Sequence, residues 1–422
     1  MIAGISRQKL PSPGLIMPFF LLSTLSLLAI AVLIFFASDN FNTHYFHPKL
    51  LALTHIAALG FITSIIFGSL FQMMPVIFEV SIYSEKLGRF SFYTLLPGLI
   101  LLSYGFWVFD MGLATQAGGT LILISFISFG ANFWLSVRKV KSWTVESEII
   151  STSVIWLITT ATVGLLLVFN FTYVFIPKSH LEILKIHAHL GLVGWIFLLI
   201  LGVSAKLVPM FFVSDKPAPI YLKFSYYTSN AGLIMFAVSV YSALPEVFTT
   251  VSSVLIVCGI IYYLVYVFLA YWRRTRIVYD TGLRLTVISF VILAVLIPLA
   301  LIIPHNIADE RNMVLLRIVY GFLALIGFAG VLIIGQALKI IPFIIWMYKY
   351  QSLAGTKKIP LPKDLISESV SGIMMYSFLA GLVIMTGGIL LSMPYMVLTA
   401  SLLFILAALS LNANIFKALF YK

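Results

Sequence analysis

The sequence predicts an all-α polytopic membrane protein, with about twelve transmembrane helices in three four-helix repeats related by pseudo-threefold symmetry. Three observations carry that expectation. Of 422 residues, 61% are hydrophobic and 9% charged, whereas about a quarter of the residues in a soluble domain are charged. A span needs about 20 apolar residues, and apolar runs centre near Leu27, Ile62, Leu99, Ser125, Thr160, Phe197, Leu233, Gly259, Leu293, Leu325, Leu382 and Phe404. The third observation is an internal repeat, described below.

The first run, about Ile16 to Ala37, is too long for a signal-peptide core and lacks a small-residue cleavage site before Asp39, so it reads as a retained span. Most cations then fall in alternate connecting segments. These hold Arg7 and Lys9, Lys86 and Arg89, Arg138 to Lys141, Lys216 and Lys223, Arg273 to Arg284, Lys349 to Lys363, and the C-terminus. The positive-inside rule makes those segments, and both termini, cytoplasmic. The net charge of +12 is thus mostly a topology signal, and no nucleic-acid partner is expected. Little chain is left for a soluble domain, so residues 1–422 read as one transmembrane domain.

Three stretches align without a gap: "THIAALGFITSIIFGSLFQMMP" ending at Pro75, "AHLGLVGWIFLLILGVSAKLVP" ending at Pro209 and "GFLALIGFAGVLIIGQALKIIP" ending at Pro342. In each, a glycine lies 15 residues before the proline (Gly60, Gly194, Gly327) and another 7 before it (Gly68, Gly202, Gly335). A long polar side chain lies 3 before it (Gln72, Lys206, Lys339). The prolines are 134 and 133 residues apart, which gives repeats at about 10–140, 141–275 and 276–422 with spans 2, 6 and 10 equivalent. An even number of spans per unit makes the repeats parallel. The glycines allow close backbone approach, and each proline is placed to end or bend its helix.

Ionisable groups inside spans are functional candidates. His55 and His189 both lie 20 residues before their proline, where the third repeat has Phe322. His187 lies 22 before, where the others have Leu53 and Tyr320. Two residues on a helix are about 200° apart, so His187 and His189 face different neighbours and one helix can serve two sites. Cys258 is the only cysteine, which excludes disulfides, thiolate metal sites and Cys-linked haem within the chain. Two imidazoles converging from equivalent helices suit axial ligation of a planar haem b, whereas zinc or copper ordinarily takes three or four protein ligands. One or two haems are expected, and copper is disfavoured.

Lys49, Lys185 and Arg317, 26, 24 and 25 residues before the prolines, are candidate partners for haem propionates, the other reading being snorkelling at the interface. His44, His47, His180 and His305 fall in outer loops and read as solvated loop residues, with a surface copper or zinc site as the alternative. Lys206, Lys339, Gln72 and Gln336 read first as snorkelling or interhelical hydrogen-bonding groups, with a proton path or quinone headgroup site as the alternative.

The twelve-span threefold plan with histidines toward the outer end of a unit's second helix resembles subunit I of the haem-copper oxidase superfamily. "KIHAHLGLVGW" and its continuation to "KLVP" are also similar to motifs of smaller relatives, including the NnrS family of membrane haem proteins tied to nitric oxide metabolism. The resemblance covers the whole chain as architecture and about 30 residues per repeat as motif. It implies that His55 is a low-spin haem ligand and that His187 and His189 are a pair serving two haems from one helix. The chain departs from the oxidases in two ways. Their pair lies on span 10, where this chain has Tyr320 and Phe322, and span 7 here carries none of the histidines that ligate their copper. One haem between His55 and His189 stays sensible in a threefold bundle, and a second held by His187 would meet Tyr320 or another residue on its other face.

The resulting expectation is a b-type haem protein of the bacterial inner membrane that lacks standard copper ligation. It would act in electron transfer or in binding or reducing a diatomic gas, O2 or NO, with a redox protein or a quinone as partner. The rival expectation is a transporter or assembly factor for copper, haem or a small solute, and a third is a noncatalytic subunit of a respiratory or denitrification complex.

Overall fold

The computed structural model describes residues 10–303 and 309–421, and among these there is no strand. The chain forms twelve long helices. They are α1 (Pro13–Phe36), α2 (Pro48–Ile77), α3 (Glu85–Val108), α4 (Leu113–Val137), α5 (Val145–Tyr173), α6 (His180–Phe212), α7 (Ile220–Tyr241), α8 (Glu246–Trp272), α9 (Thr281–Ile302), α10 (Glu310–Lys349), α11 (Glu368–Leu390) and α12 (Pro394–Leu419). Eleven are long and apolar enough to cross a bilayer, and the chain is an integral membrane protein. The less apolar one is α7, whose Ser225 and Ser229 are fully buried and whose Asn230 Oδ1 accepts from Trp156 Nε1 on α5 at 2.8 Å. Its polar residues face protein, so α7 forms as the expected helix despite its lower hydropathy.

Contacts group the chain into two units. The first comprises Met1–Ser12, Leu70–Ile277 and Leu293–Asp309; the second comprises Pro13–Ser69, Val278–Ile292 and Glu310–Lys422. The first unit holds the α3–α4 and α7–α8 hairpins, and the second holds the α11–α12 hairpin. These are the third and fourth helices of each sequence repeat. Small residues set their spacing: a Cβ on Gly118 would meet Leu102 N at 2.5 Å, one on Gly232 would meet Ser252 O at 2.8 Å, and one on Gly388 would meet Val397 N at 3.0 Å.

The same departure from α geometry recurs in the second helix of every repeat. π-helical turns occupy Ile56–Thr63 in α2, Leu190–Phe197 in α6 and Leu323–Gly330 in α10. Each begins 19 residues before its repeat's proline. A π turn moves the backbone bond one residue further along the chain and is found mostly as short insertions, frequently at functional sites. Beyond the turn, the glycine 7 before each proline packs on the first helix of its own repeat. A Cβ on Gly68 would sit 3.2 Å from Phe19 Cβ, one on Gly202 2.6 Å from Ile150 Cγ1, and one on Gly335 2.6 Å from Gly282 O. After the prolines, α2 and α6 stop at Ile77 and Phe212, whereas α10 runs on to Lys349.

Two braces repeat without an obvious motif. In the first unit Glu85, the first residue of α3, accepts from both the N–H and the hydroxyl of Ser12 at 2.7 and 2.5 Å. In the second, Glu368, the first residue of α11, accepts from both the N–H and the hydroxyl of Thr281 at 2.9 and 2.6 Å. The serine before each glutamate caps its helix and is held by an asparagine of the next helix: Ser84 N donates to Asn132 Oδ1 at 3.0 Å and Ser367 N to Asn414 Oδ1 at 2.8 Å.

Gly335→Ala should lower the thermal midpoint of the purified protein, because its Cβ has no room beside Gly282 O; overpacking of this kind costs about 1–3 kcal/mol. Gly321→Ala, whose Cβ would meet nothing within 4 Å, should leave the midpoint unchanged or raise it. Equal effects of the two substitutions would contradict the close α9–α10 contact.

Candidate functional site

His55 belongs to the second unit, and His187 and His189 belong to the first. His55 is the last α-helical residue before the π turn of α2, and its Nδ1 hydrogen-bonds the Leu51 carbonyl four residues back at 2.7 Å. His189 stands identically before the π turn of α6, with Nδ1 on the Lys185 carbonyl at 2.8 Å. A carbonyl only accepts, so in each neutral ring Nδ1 carries the proton and Nε2 carries the lone pair. That tautomer, fixed by an Nδ1–H bond to a backbone carbonyl, is the one through which imidazoles ligate metals at Nε2. Both rings are half-buried.

The two imidazoles of the His-x-His face different helices. His189 lies on the ring of Phe236 in α7, with centroids 4.4 Å apart. His187 turns to α5, where Nδ1 bonds the Thr160 carbonyl at 3.0 Å and its ring fills the notch over Gly164, 2.6 Å from where a Cβ would be. Thr160 and Gly164 are i and i+4 on one face of α5, so a carbonyl and a gap are presented together. Sequence reasoning passed over both. A lone Gly164 in "TATVGLLL" is one small residue among many until its partner is known.

At the equivalent place in the third repeat, Phe322 belongs to an aromatic cluster. Its ring lies 6.4 Å from that of Phe404, which in turn packs on Phe378 at 5.1 Å. Tyr320, two residues earlier on α10, is half-buried. In the second unit the π turn of α2 also packs on that of α10: Phe61 Cε1 lies 3.4 Å from where a Cβ on Gly330 would be.

The outer cations have separate settings. Lys49 Nζ donates to the Phe36 carbonyl at 3.2 Å, capping the C-terminus of α1, where the helix dipole favours a cation. Lys185 is exposed, and half-buried Arg317 acts electrostatically on His44. Two of the outer-loop histidines brace helix ends. His47 caps α2 and bonds Asn40 Nδ2 through Nε2 at 3.2 Å; His180, the first residue of α6, bonds Asn170 Nδ2 through Nε2 at 2.8 Å. His44 Nδ1 accepts from Phe46 N at 3.1 Å, and His305 lies outside the described residues.

At the other ends of the spans, Lys206 Nζ donates to the Val76 carbonyl at 2.6 Å, capping the last turn of α2. Lys339 pairs with Asp280 at 2.6 Å. Gln336 Nε2 donates to Thr286 Oγ1 at 2.8 Å, and the amide oxygens of Gln72 and Gln336 are buried without a protein donor.

Among the described residues no three His, Cys, Asp or Glu side chains come together as a metal-ion site. A structural or catalytic zinc or copper centre draws on at least such a set, whereas haem takes one or two imidazoles. The donors present fit haem ligation one ring at a time. Compared with known proteins, the chain matches no family model and no curated sequence.

Burial, and after it Arg317, holds His44 below its ordinary pKa of 6.5 against an upward pull from Glu310. Burial and then Lys49 lower that of His47. A lowered folded pKa stabilises the folded segment above the unfolded value, and that stabilisation is lost as pH falls through the folded value. Hydrogen-exchange protection across residues 38–47 should therefore fall between about pH 7.5 and pH 5, and Arg317→Gln should narrow the change without abolishing it. Protection factors independent of pH would contradict this.

Proposed function

We propose that the chain is an integral membrane b-type haem protein, related to subunit I of the haem-copper oxidase superfamily and lacking its standard copper ligands. His55 and His189 are the axial ligands, each through Nε2. One observation supports this above the others: two half-buried imidazoles occur at one register of equivalent helices, each with Nδ1 tied to the carbonyl four residues back and each opening a π turn. A satisfied structural histidine needs only its one hydrogen bond. The recurrence of both the bond and the π turn supports selection of the other nitrogen.

One or two haems are bound. His187 has the same tautomer, set by Thr160, and is the ligand of the second, with Tyr320 as a candidate residue toward that group and Lys185 and Arg317 as candidate propionate partners. Bound haem supplies a one-electron couple and, where one axial position stays open, a site for O2 or NO. The chain's own groups supply ligation, orientation and a low-dielectric surround. The activity is electron transfer or reduction of the diatomic gas, an oxidoreductase reaction whose partner is a redox protein docking on the short outer loops or a quinone in the bilayer. The distribution of cations supports a bacterial inner membrane location with both termini cytoplasmic.

The test is the reduced-minus-oxidised optical spectrum, with haem quantified per chain, of the wild type and of His55→Ala, His189→Ala, His187→Ala and Phe322→Ala proteins made in haem-replete cells. His55→Ala and His189→Ala should each remove low-spin haem, completely if they serve one group and by about half if they serve two. His187→Ala should remove the gas-induced spectral change, and Phe322→Ala should retain the wild-type haem content. A wild-type protein devoid of haem overturns the proposal.

A further inference from the structure

The chain leaving α8 is built unlike a solvated loop. After Trp272 it reads Arg273-Arg274-Thr275-Arg276-Ile277 and folds back on the C-terminal end of α6. Thr275 donates from its N–H and its hydroxyl to the Val213 carbonyl at 3.2 and 2.8 Å, and Arg276 N donates to the Phe212 carbonyl at 3.3 Å. Arg276 Nη1 reaches the Phe211 carbonyl at 3.4 Å. Arg274 stacks over the Tyr271 ring, 3.9 Å from its centroid, and donates to the Tyr271 carbonyl at 2.9 Å. The strap is therefore held in one conformation, with Arg273 exposed on it.

Its apolar groups point away from protein. Ile277 is 90% exposed, the highest value of any large hydrophobic side chain among the described residues, and Trp272 is 72% exposed. An isoleucine that open to water gains nothing from folding, and no acidic side chain is recorded against the three arginines. The nearest carboxylate partnership on this unit's connecting segments, Lys216 with Glu146, is already made. Cations beside exposed Trp and Ile at the end of a span match the two layers of a membrane surface, phosphate and the upper acyl region.

We propose that the strap Arg273–Ile277 binds the headgroup of an anionic phospholipid. The arginines meet the phosphodiester, and Trp272 and Ile277 lie against the acyl chains. Strap formation orders the arginines before the lipid arrives, which lowers the entropic cost of binding. The proposal is independent of haem, since none of these residues is a candidate ligand.

The experiment is native mass spectrometry of the detergent-purified full chain with dioctanoyl phosphatidylglycerol or dioctanoyl phosphatidylcholine. The wild type should retain phosphatidylglycerol preferentially. Arg273→Gln, which removes the exposed guanidinium and leaves the strap's hydrogen bonds, should weaken that retention about fivefold, the effect of one basic residue near an anionic surface. Ile277→Ser should weaken both lipids. Equal retention of the two lipids by the wild type, or unchanged preference in Arg273→Gln, overturns the proposal. So does displacement by soluble glycerol phosphate, which would mark a free-phosphate site instead. Unaltered thermal midpoints of both variants in phosphatidylcholine nanodiscs establish that they are folded.

Discussion

Inside a bilayer no water is present to complete a backbone hydrogen bond, so any departure from regular helix must be satisfied from within the protein. This chain makes that departure three times, at one register, in the second helix of each repeat. The donors that answer it are local. Ser23 of α1 donates to the Phe61 carbonyl inside the first π turn at 2.7 Å, and Ser64 closes that turn on the Leu59 carbonyl at 3.0 Å. Just ahead of the turns, His55 and His189 bind the carbonyls of Leu51 and Lys185. The imidazoles are thus part of the same backbone accounting, and that role fixes their tautomer.

What distinguishes the three copies follows from one position. Where the first two repeats have histidine before the π turn, the third has Phe322 in an aromatic cluster closed by Phe404 and Phe378. A polar ring with a lone pair has become a core element, with the helix geometry around it retained. His187 shows a different use of the same chemistry. Clasped by Thr160 and Gly164, it ties α6 to α5, while His189, two residues on, faces α7.

Much of this was legible in the sequence because its causes are periodic. The apolar runs centred near Leu27 through Phe404 became helices, and the glycine column at Gly68, Gly202 and Gly335 marked the close approach to each repeat's first helix. The aligned His55 and His189 proved to share a hydrogen-bonding pattern as well as a depth. The π turns were hidden, since "IAALGFIT" and "LGLVGWIF" carry no residue that forbids an α-helix. The Ser12–Glu85 and Thr281–Glu368 braces were hidden too, because each joins residues more than 70 positions apart. Lys49 illustrates a third limit: its register suggested an acidic ligand group, but its ammonium reaches a helix-terminal carbonyl, a contact that depends on where α1 ends.

The central claim is that Nε2 of a histidine, oriented through Nδ1, ligates haem iron. Electron paramagnetic resonance combined with near-infrared magnetic circular dichroism of the oxidised wild-type protein tests it most directly, because together they identify the axial atoms. The account predicts low-spin ferric haem with the charge-transfer band of bis-imidazole ligation. Haem without a nitrogen axial ligand, or protein with no haem signal, would contradict it.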